Sequence, residues 1–226
     1  MRSMDEWHSI PGFADPMSSL SHLVGTVLFF NAGVLLLWRT RLSPENRARN
    51  FWFCLQFVVA SLFCLSMSFV YHMVPLGGTA RAVMLRLDVA AIFVLIASTF
   101  TVIHGIAFRG WRCWAIVGLL WGIAAVGIPL RMVFFDSVSH VAGNGIFLLM
   151  GWVGVLSAWL VWRAYGWRYL GPVVLGGICY TIGAVVNAAN WPVIIDRVWG
   201  PHETFHLFVL AGLAVHWGLA WKISNN

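Results

Sequence analysis

The stretch Phe51–His72, FWFCLQFVVASLFCLSMSFVYH, contains no Asp, Glu, Lys or Arg. About 20 mostly apolar residues suffice to cross the hydrocarbon core as a helix. In lipid every backbone amide must be satisfied within the segment, which a helix does. This stretch therefore predicts a spanning helix over about 51–73. Working outward, six more apolar stretches of similar length are expected at about 19–38, 87–107, 113–130, 140–162, 170–190 and 202–221. The expected fold class is an all-α integral membrane protein, a seven-transmembrane helix bundle. Residues 1–226 are expected to form one transmembrane domain, with a short polar N-terminal tail over 1–18.

Composition supports this class. Of 226 residues, 60% are hydrophobic and only 10% are charged, against about 25% charged in soluble domains. Seven helices leave only short loops and no room for a separate soluble domain. The tail, with Asp5, Glu6 and Asp15, lacks a basic region followed by a small-residue cleavage site, so no cleavable signal peptide is expected. Many of the 14 Trp lie near segment ends, as interfacial anchors do. Gly176, Gly177 and Gly183 are expected to allow close helix approach. The net charge is +6, with Lys222 the single lysine among 14 basic residues. This reads as loop charge that orients the chain and touches anionic head groups. Nothing interleaves basic and aromatic residues as nucleic-acid binding would require. Cys54, Cys64, Cys113 and Cys179 are scattered and form no CxxC pair, so they read as small buried hydrophobes.

Where the apolar segments place their ionisable groups is more informative. His72 closes the second, Asp88 opens the third, and His202 and His206 open the seventh. Counting crossings puts all four at one membrane level, on the side where the chain begins. Ionisable groups in a bilayer are costly, and a cluster of them reads first as a functional site. Ser68 and His72 share a helix face, as do His202 and His206, being four residues apart. Three imidazoles with a nearby carboxylate suit a zinc ion that keeps one position open for water. Ser21 and His22 open the first segment at the same level; they either add a hydrogen bond to the cluster or serve as a helix cap and an interfacial histidine. His104, His140 and His216 read as packing residues.

A competing pattern overlaps the cluster. His202-Glu203-Thr204-Phe205-His206 is literally HExxH, the zinc-protease signature, with Glu203 as the general base. Downstream only His216 remains, and its spacing fits no extended form of that motif. His72 and Asp88 are better partners, although spacing alone leaves Glu203 a possible neighbour of the metal's water. Glu203, Arg81 and Arg86 could equally form an ordinary interfacial ion pair.

Five stretches together carry a family likeness: Ser18-Ser-Leu-Ser-His-Leu-Val-Gly25; Ser68-Phe-Val-Tyr-His72; Arg86-Leu-Asp88 with Ile92 to Thr101; Gly176-Gly-Ile-Cys-Tyr-Thr-Ile-Gly183; and His202-Glu-Thr-Phe-His-Leu-Phe-Val-Leu-Ala-Gly212. In this order they resemble the hemolysin III proteins of bacteria, within the progesterone and adipoQ receptor (PAQR) family, which is related to the alkaline ceramidases. The resemblance implies that His72, His202 and His206 ligate Zn2+. It implies that Asp88 holds the metal's water and that Ser68 lies close enough to stabilise an oxyanion. Two departures stand out. Val89 follows Asp88 where the family pattern has His. Ser98-Thr-Phe-Thr-Val102 replaces Thr-Tyr-Thr-Pro, which removes a proline kink and a polar neighbour of the site. Neither touches the expected ligands.

The function expected on this basis is zinc-dependent hydrolysis of an amide or ester bond in a membrane lipid, such as a ceramide-like amide. A non-enzymatic receptor or membrane-state sensor with a structural zinc is the alternative. A cytolysin has little support, because the segments are too apolar to line a pore. An intramembrane metalloprotease rests on HExxH alone. The expected location is the bacterial inner membrane. Nine basic residues on one side against five on the other favour a cytoplasmic C-terminus and an outward-facing histidine cluster. Receptor members of the family imply the opposite orientation.

Overall fold

The computed structural model describes residues 13–42, 47–137, 140–196 and 198–224. The expected tail over 1–18 lies largely outside them, and so does the His140 side chain. Among the described residues, seven helical spans are long and apolar enough to cross a membrane. The chain is thus an integral membrane protein built as a seven-helix bundle.

The helices are α1 (Pro16–Leu42), α2 (Arg47–Met73), α3 (Gly78–Ala107), α4 (Trp111–Val133), α5 (His140–Trp152), α6 (Gly154–Tyr165), α7 (Trp167–Ala189) and α8 (Pro201–Ile223). The fifth span is built from two helices. Its helix breaks at Val153, between Gly151 and Gly154, where the chain turns before α6 begins. Several helices outrun the apolar windows that predict them. α3 starts at Gly78 rather than near Leu87 because a helix does not end where hydrocarbon does. Its first turns carry Arg81 and Arg86, whose polar ends reach back toward the interface.

α1 packs on α2, α2 on α3 and α3 on α4; α6 and α7 continue to α8, which returns to α1 and α3. α3 is the central helix: 72% of its most apolar stretch is buried, against 22–44% for the other spans. The core therefore runs along α3, with Ala91, Phe93, Ala97, Val102 and Ile103 closed off. The outer faces of the other helices stay apolar and exposed, as at Leu28, Trp52, Val126 and Leu149, which suits lipid.

Glycines set the closest approaches. A Cβ at Gly105 would sit 2.6 Å from the Phe53 ring, and one at Gly183 would sit 2.8 Å from Phe208 Cβ. Small residues let helices meet where no hydrophobic force distinguishes lipid from neighbour. Gly177, expected to play the same part, faces open space, because its position lies about 100° around α7 from Gly176, which faces His216 of α8.

Candidate metal centre

The site forms where three helix ends meet. α2 ends at Met73, one residue after His72. α8 opens with Pro201 directly before His202, a proline where the missing amide is not needed. α1 opens with Pro16, so Asp15 becomes the residue that precedes the helix, and its carbonyl accepts the Ser19 N–H.

His72, His202 and His206 converge, with one ligand nitrogen from each lying within 4.8 Å of the others. His72 and His206 are buried, and His202 is partly exposed. Each ring is held through its Nδ1. His72 Nδ1 is 3.0 Å from Asp15 Oδ2, and His202 Nδ1 is 3.2 Å from Asn187 Oδ1. His206 Nδ1 is 3.3 Å from Ser21 Oγ. A carboxylate oxygen and an amide oxygen only accept, so the first two rings carry their protons on Nδ1. Their Nε2 atoms then bear lone pairs, and these face each other at 3.1 Å. Two lone pairs at that distance repel unless a cation lies between them. Two imidazole nitrogens on one tetrahedral zinc stand about 3.3 Å apart, given Zn–N bonds near 2.0–2.1 Å. The donor set therefore fits a zinc ion, with outer partners that fix ring orientation as metal-binding histidines require.

Asp88 and Ser68 join the same site. Ser68 is buried, and its side chain lies near the Asp88 carboxylate, which is also near His72. All five expected residues, His72, His202, His206, Asp88 and Ser68, line one cavity of about 1150 Å³. Its remaining walls are mostly apolar, from α3, α6, α7 and α8. Val155 of α6 and Val174 and Ile178 of α7 are among its apolar walls.

Two residues behave differently from their sequence reading. Glu203 does not serve the cluster: Oε2 accepts the Gly200 N–H at 2.9 Å, and Oε1 accepts the Ser18 hydroxyl at 2.5 Å. Both oxygens are engaged in capping α8 and tying it to α1, so the HExxH reading loses its base. Arg81 pairs with Asp15 at 2.6 Å. It also donates to the Val74 carbonyl at 2.7 Å and the Tyr71 carbonyl at 3.3 Å, closing the end of α2.

Asp15 is the functional residue that sequence reasoning passes over. It holds His72 twice, through its carboxylate and through its backbone N–H, which donates to the His72 carbonyl at 2.9 Å. Burial alone raises its carboxyl pKa, but the hydrogen bonds from His72 and Arg81 outweigh this and hold it below its ordinary 3.8. The available signal was Asp-Pro just ahead of the first apolar segment, on the cluster's side. Ser21 and His22 both reach the cluster, and neither caps a helix, because α1 begins at Pro16. His22 is stacked on His206 with ring centroids 3.8 Å apart.

Comparison with known proteins agrees with this architecture. A family profile described as Haemolysin-III related matches residues 13–217. Hemolysin-3 of Bacillus cereus is 30% identical over 129 residues, covering 57% of this chain and 56% of that protein. The adiponectin receptor protein of Drosophila melanogaster is 26% identical over 220 residues, covering 87% of this chain but 48% of the receptor. The Hemolysin-3 homolog of Bacillus subtilis is 24% identical over 203 residues, covering 87% and 88% of the two chains. The alignments thus span about half the length of the first two relatives and most of the third.

Proposed function

The chain belongs to the haemolysin-III related family, and on that premise we propose that it is a zinc-dependent hydrolase of amide or ester bonds in membrane lipids. The observation that carries this reading is the convergence of three Nδ1-anchored imidazoles at the mouth of an apolar cavity that also holds Asp88 and Ser68. His72, His202 and His206 would hold the ion. Zinc there would supply Lewis acidity and lower the pKa of a bound water to about 7, giving a nucleophile at neutral pH.

The chain's own groups complete the chemistry. Asp88 orients the water and takes its proton on a carboxylate oxygen. It then returns that proton to the leaving amine or alcohol. Ser68 Oγ–H donates to the oxyanion that develops on the carbonyl. Asp15, Asn187 and Ser21 keep the three rings in register. The apolar walls take the aliphatic chains and exclude bulk water. The family relationship to Bacillus proteins favours a bacterial inner membrane.

The test begins with metal content by mass spectrometry of the detergent-purified protein, for wild type and for His72→Ala, His202→Ala and His206→Ala. About one zinc per chain, lost in each variant, is expected. Turnover of ceramide-like amides and of lipid esters is then measured for wild type, His202→Ala and Asp88→Asn. Turnover that persists in His202→Ala would overturn the hydrolase reading.

A second reading is a receptor or membrane-state sensor in which zinc staples α2 to α8. The similarity to a protein named adiponectin receptor favours it. It expects no turnover of any lipid and a large fall in thermal stability on chelation, since metal binding couples to folding. Unchanged stability after stripping would remove it.

A further inference from the structure

Two histidines that the metal centre does not use lie deeper in the bundle, and they differ in kind. His104 is fully buried with both nitrogens partnered: Nδ1 is 3.0 Å from the Arg112 carbonyl and Nε2 is 2.7 Å from Ser157 Oγ. That is how a packing histidine is satisfied. His216 on α8 is 6% exposed, its Nε2 faces Gly176 of α7, and its Nδ1 is buried without a partner. A neutral imidazole carries one proton, and with it on Nε2 the unpartnered Nδ1 is an acceptor.

Tyr180 on α7 stands beside it. Its hydroxyl is also buried without a partner. The two rings are 5.6 Å apart between centroids and tilted by 42°, and they do not bond each other. Two neighbouring rings thus each leave a polar atom unsatisfied within the helix bundle, where each costs free energy. Both residues line the cavity that holds the metal centre.

The fold makes room for these rings deliberately on both helices. A Cβ at Gly176 of α7 would lie 2.3 Å from His216 Nε2. A Cβ at Gly212 of α8 would lie 2.8 Å from the Tyr180 ring. Each helix omits a side chain where the other inserts a polar ring. Phe or Leu would fill either gap without an unpaired polar atom, so packing alone does not account for the pair.

We propose that Tyr180 and His216 form a polar subsite that takes a hydroxyl group on the aliphatic chain of the ligand. With the His216 proton on Nε2, a hydroxyl is the simplest group that both accepts from Tyr180 O–H and donates to Nδ1; a carbonyl only accepts. At 1.5 Å per residue, His216 lies about 15 Å along α8 from His206, a separation spanned by about a dozen methylenes of extended chain. The ligand class is therefore an acyl lipid with a mid-chain hydroxyl. This rests on the cavity being the lipid site proposed above and adds a chain preference to it.

The experiment measures binding of stearate and 12-hydroxystearate to the full-length, zinc-loaded protein in detergent, by displacement of a fluorescent fatty acid. Wild type is expected to bind 12-hydroxystearate about tenfold more tightly, as pairing of otherwise unsatisfied buried groups warrants. Tyr180→Phe, which removes one oxygen and keeps the ring, is expected to bind the two alike, and His216→Leu serves as the second variant. Equal binding of the two fatty acids to wild type would overturn the proposal. So would a preference that survives Tyr180→Phe while only the melting temperature falls, which would mark a bridging water with a structural role. Equal binding sinks the subsite alone; binding of neither fatty acid sinks the lipid reading of the cavity together with it.

Discussion

Asp15 and His72 are joined twice, by a carboxylate-to-imidazole contact of 3.0 Å and by a backbone bond of 2.9 Å from the Asp15 N–H to the His72 carbonyl. The start of α1 therefore sets both the position and the tautomer of an imidazole that belongs to α2. Arg81 of α3 holds the same carboxylate, so three helices agree on one ring.

Replacing Asp15 by Asn keeps the shape and removes the charge and the obligate acceptor. Zinc affinity is expected to fall about 10- to 100-fold, as when outer partners of metal ligands are changed elsewhere. Competition against a chelating dye reads this directly. Affinity within twofold of wild type would mean that the contact does not orient His72.

Acid should loosen the same junction. The folded-state pKa of Asp15 is lowered from 3.8, so the unfolded chain binds its proton first as pH falls. Its stabilising contribution is complete above the unfolded value and is lost as pH drops through the folded one. Melting temperature against pH should show a step below about pH 4 in wild type that is absent in Asp15→Asn. Superimposable curves would refute the assignment.

Glu203 should behave as a structural residue. Glu203→Ala leaves the Ser18 hydroxyl and the Gly200 N–H without their partner and is expected to cost about 1–3 kcal/mol of stability. Zinc content should stay near one per chain, whereas a protease base next to the metal would be needed for turnover. Glu203→Gln that folds well, binds zinc and retains lipid hydrolysis would close the protease reading; loss of all turnover in that variant would reopen it.

Two glycines make a matched pair. Gly105→Ala pushes a methyl into the Phe53 ring and is expected to destabilise by about 1–3 kcal/mol, the usual penalty of overpacking. Gly177→Ala meets nothing and should be neutral or slightly stabilising. Thermal unfolding of the two variants in one detergent makes the comparison, and equal losses would mean that the α2–α3 approach is looser than described.

Much of the bundle was legible because lipid demands a simple code. A segment as free of charge as Phe51–His72 has few alternatives to spanning, and counting crossings then places His72, Asp88, His202 and His206 on one level. Side-chain direction was not legible. HExxH allows Glu203 to face the metal, and only the docking of α1 against α8 turns it toward Ser18. Asp15 was hidden because the apolar window starts at Ser19, while the helix begins at Pro16. The break at Val153 carries no proline, only flanking glycines that occur elsewhere in unbroken helices. His104 and His216 look alike in sequence; a serine opposite one and a glycine opposite the other make them different.

The pairing of Asp15 with Arg81 also fixes the electrical balance of the site. Their charges cancel, so the carboxylate that steers His72 adds no net charge. Three neutral imidazoles add none, and Asp88 offsets only half of a divalent cation. The occupied centre would therefore sit one unit positive at the mouth of a low-dielectric cavity, where such a charge is felt strongly. A neutral lipid amide or ester would enter such a place with little electrostatic gain, while the carboxylate that its hydrolysis would release is attracted and held. On the hydrolase reading, product departure rather than bond cleavage would then be the step that limits turnover.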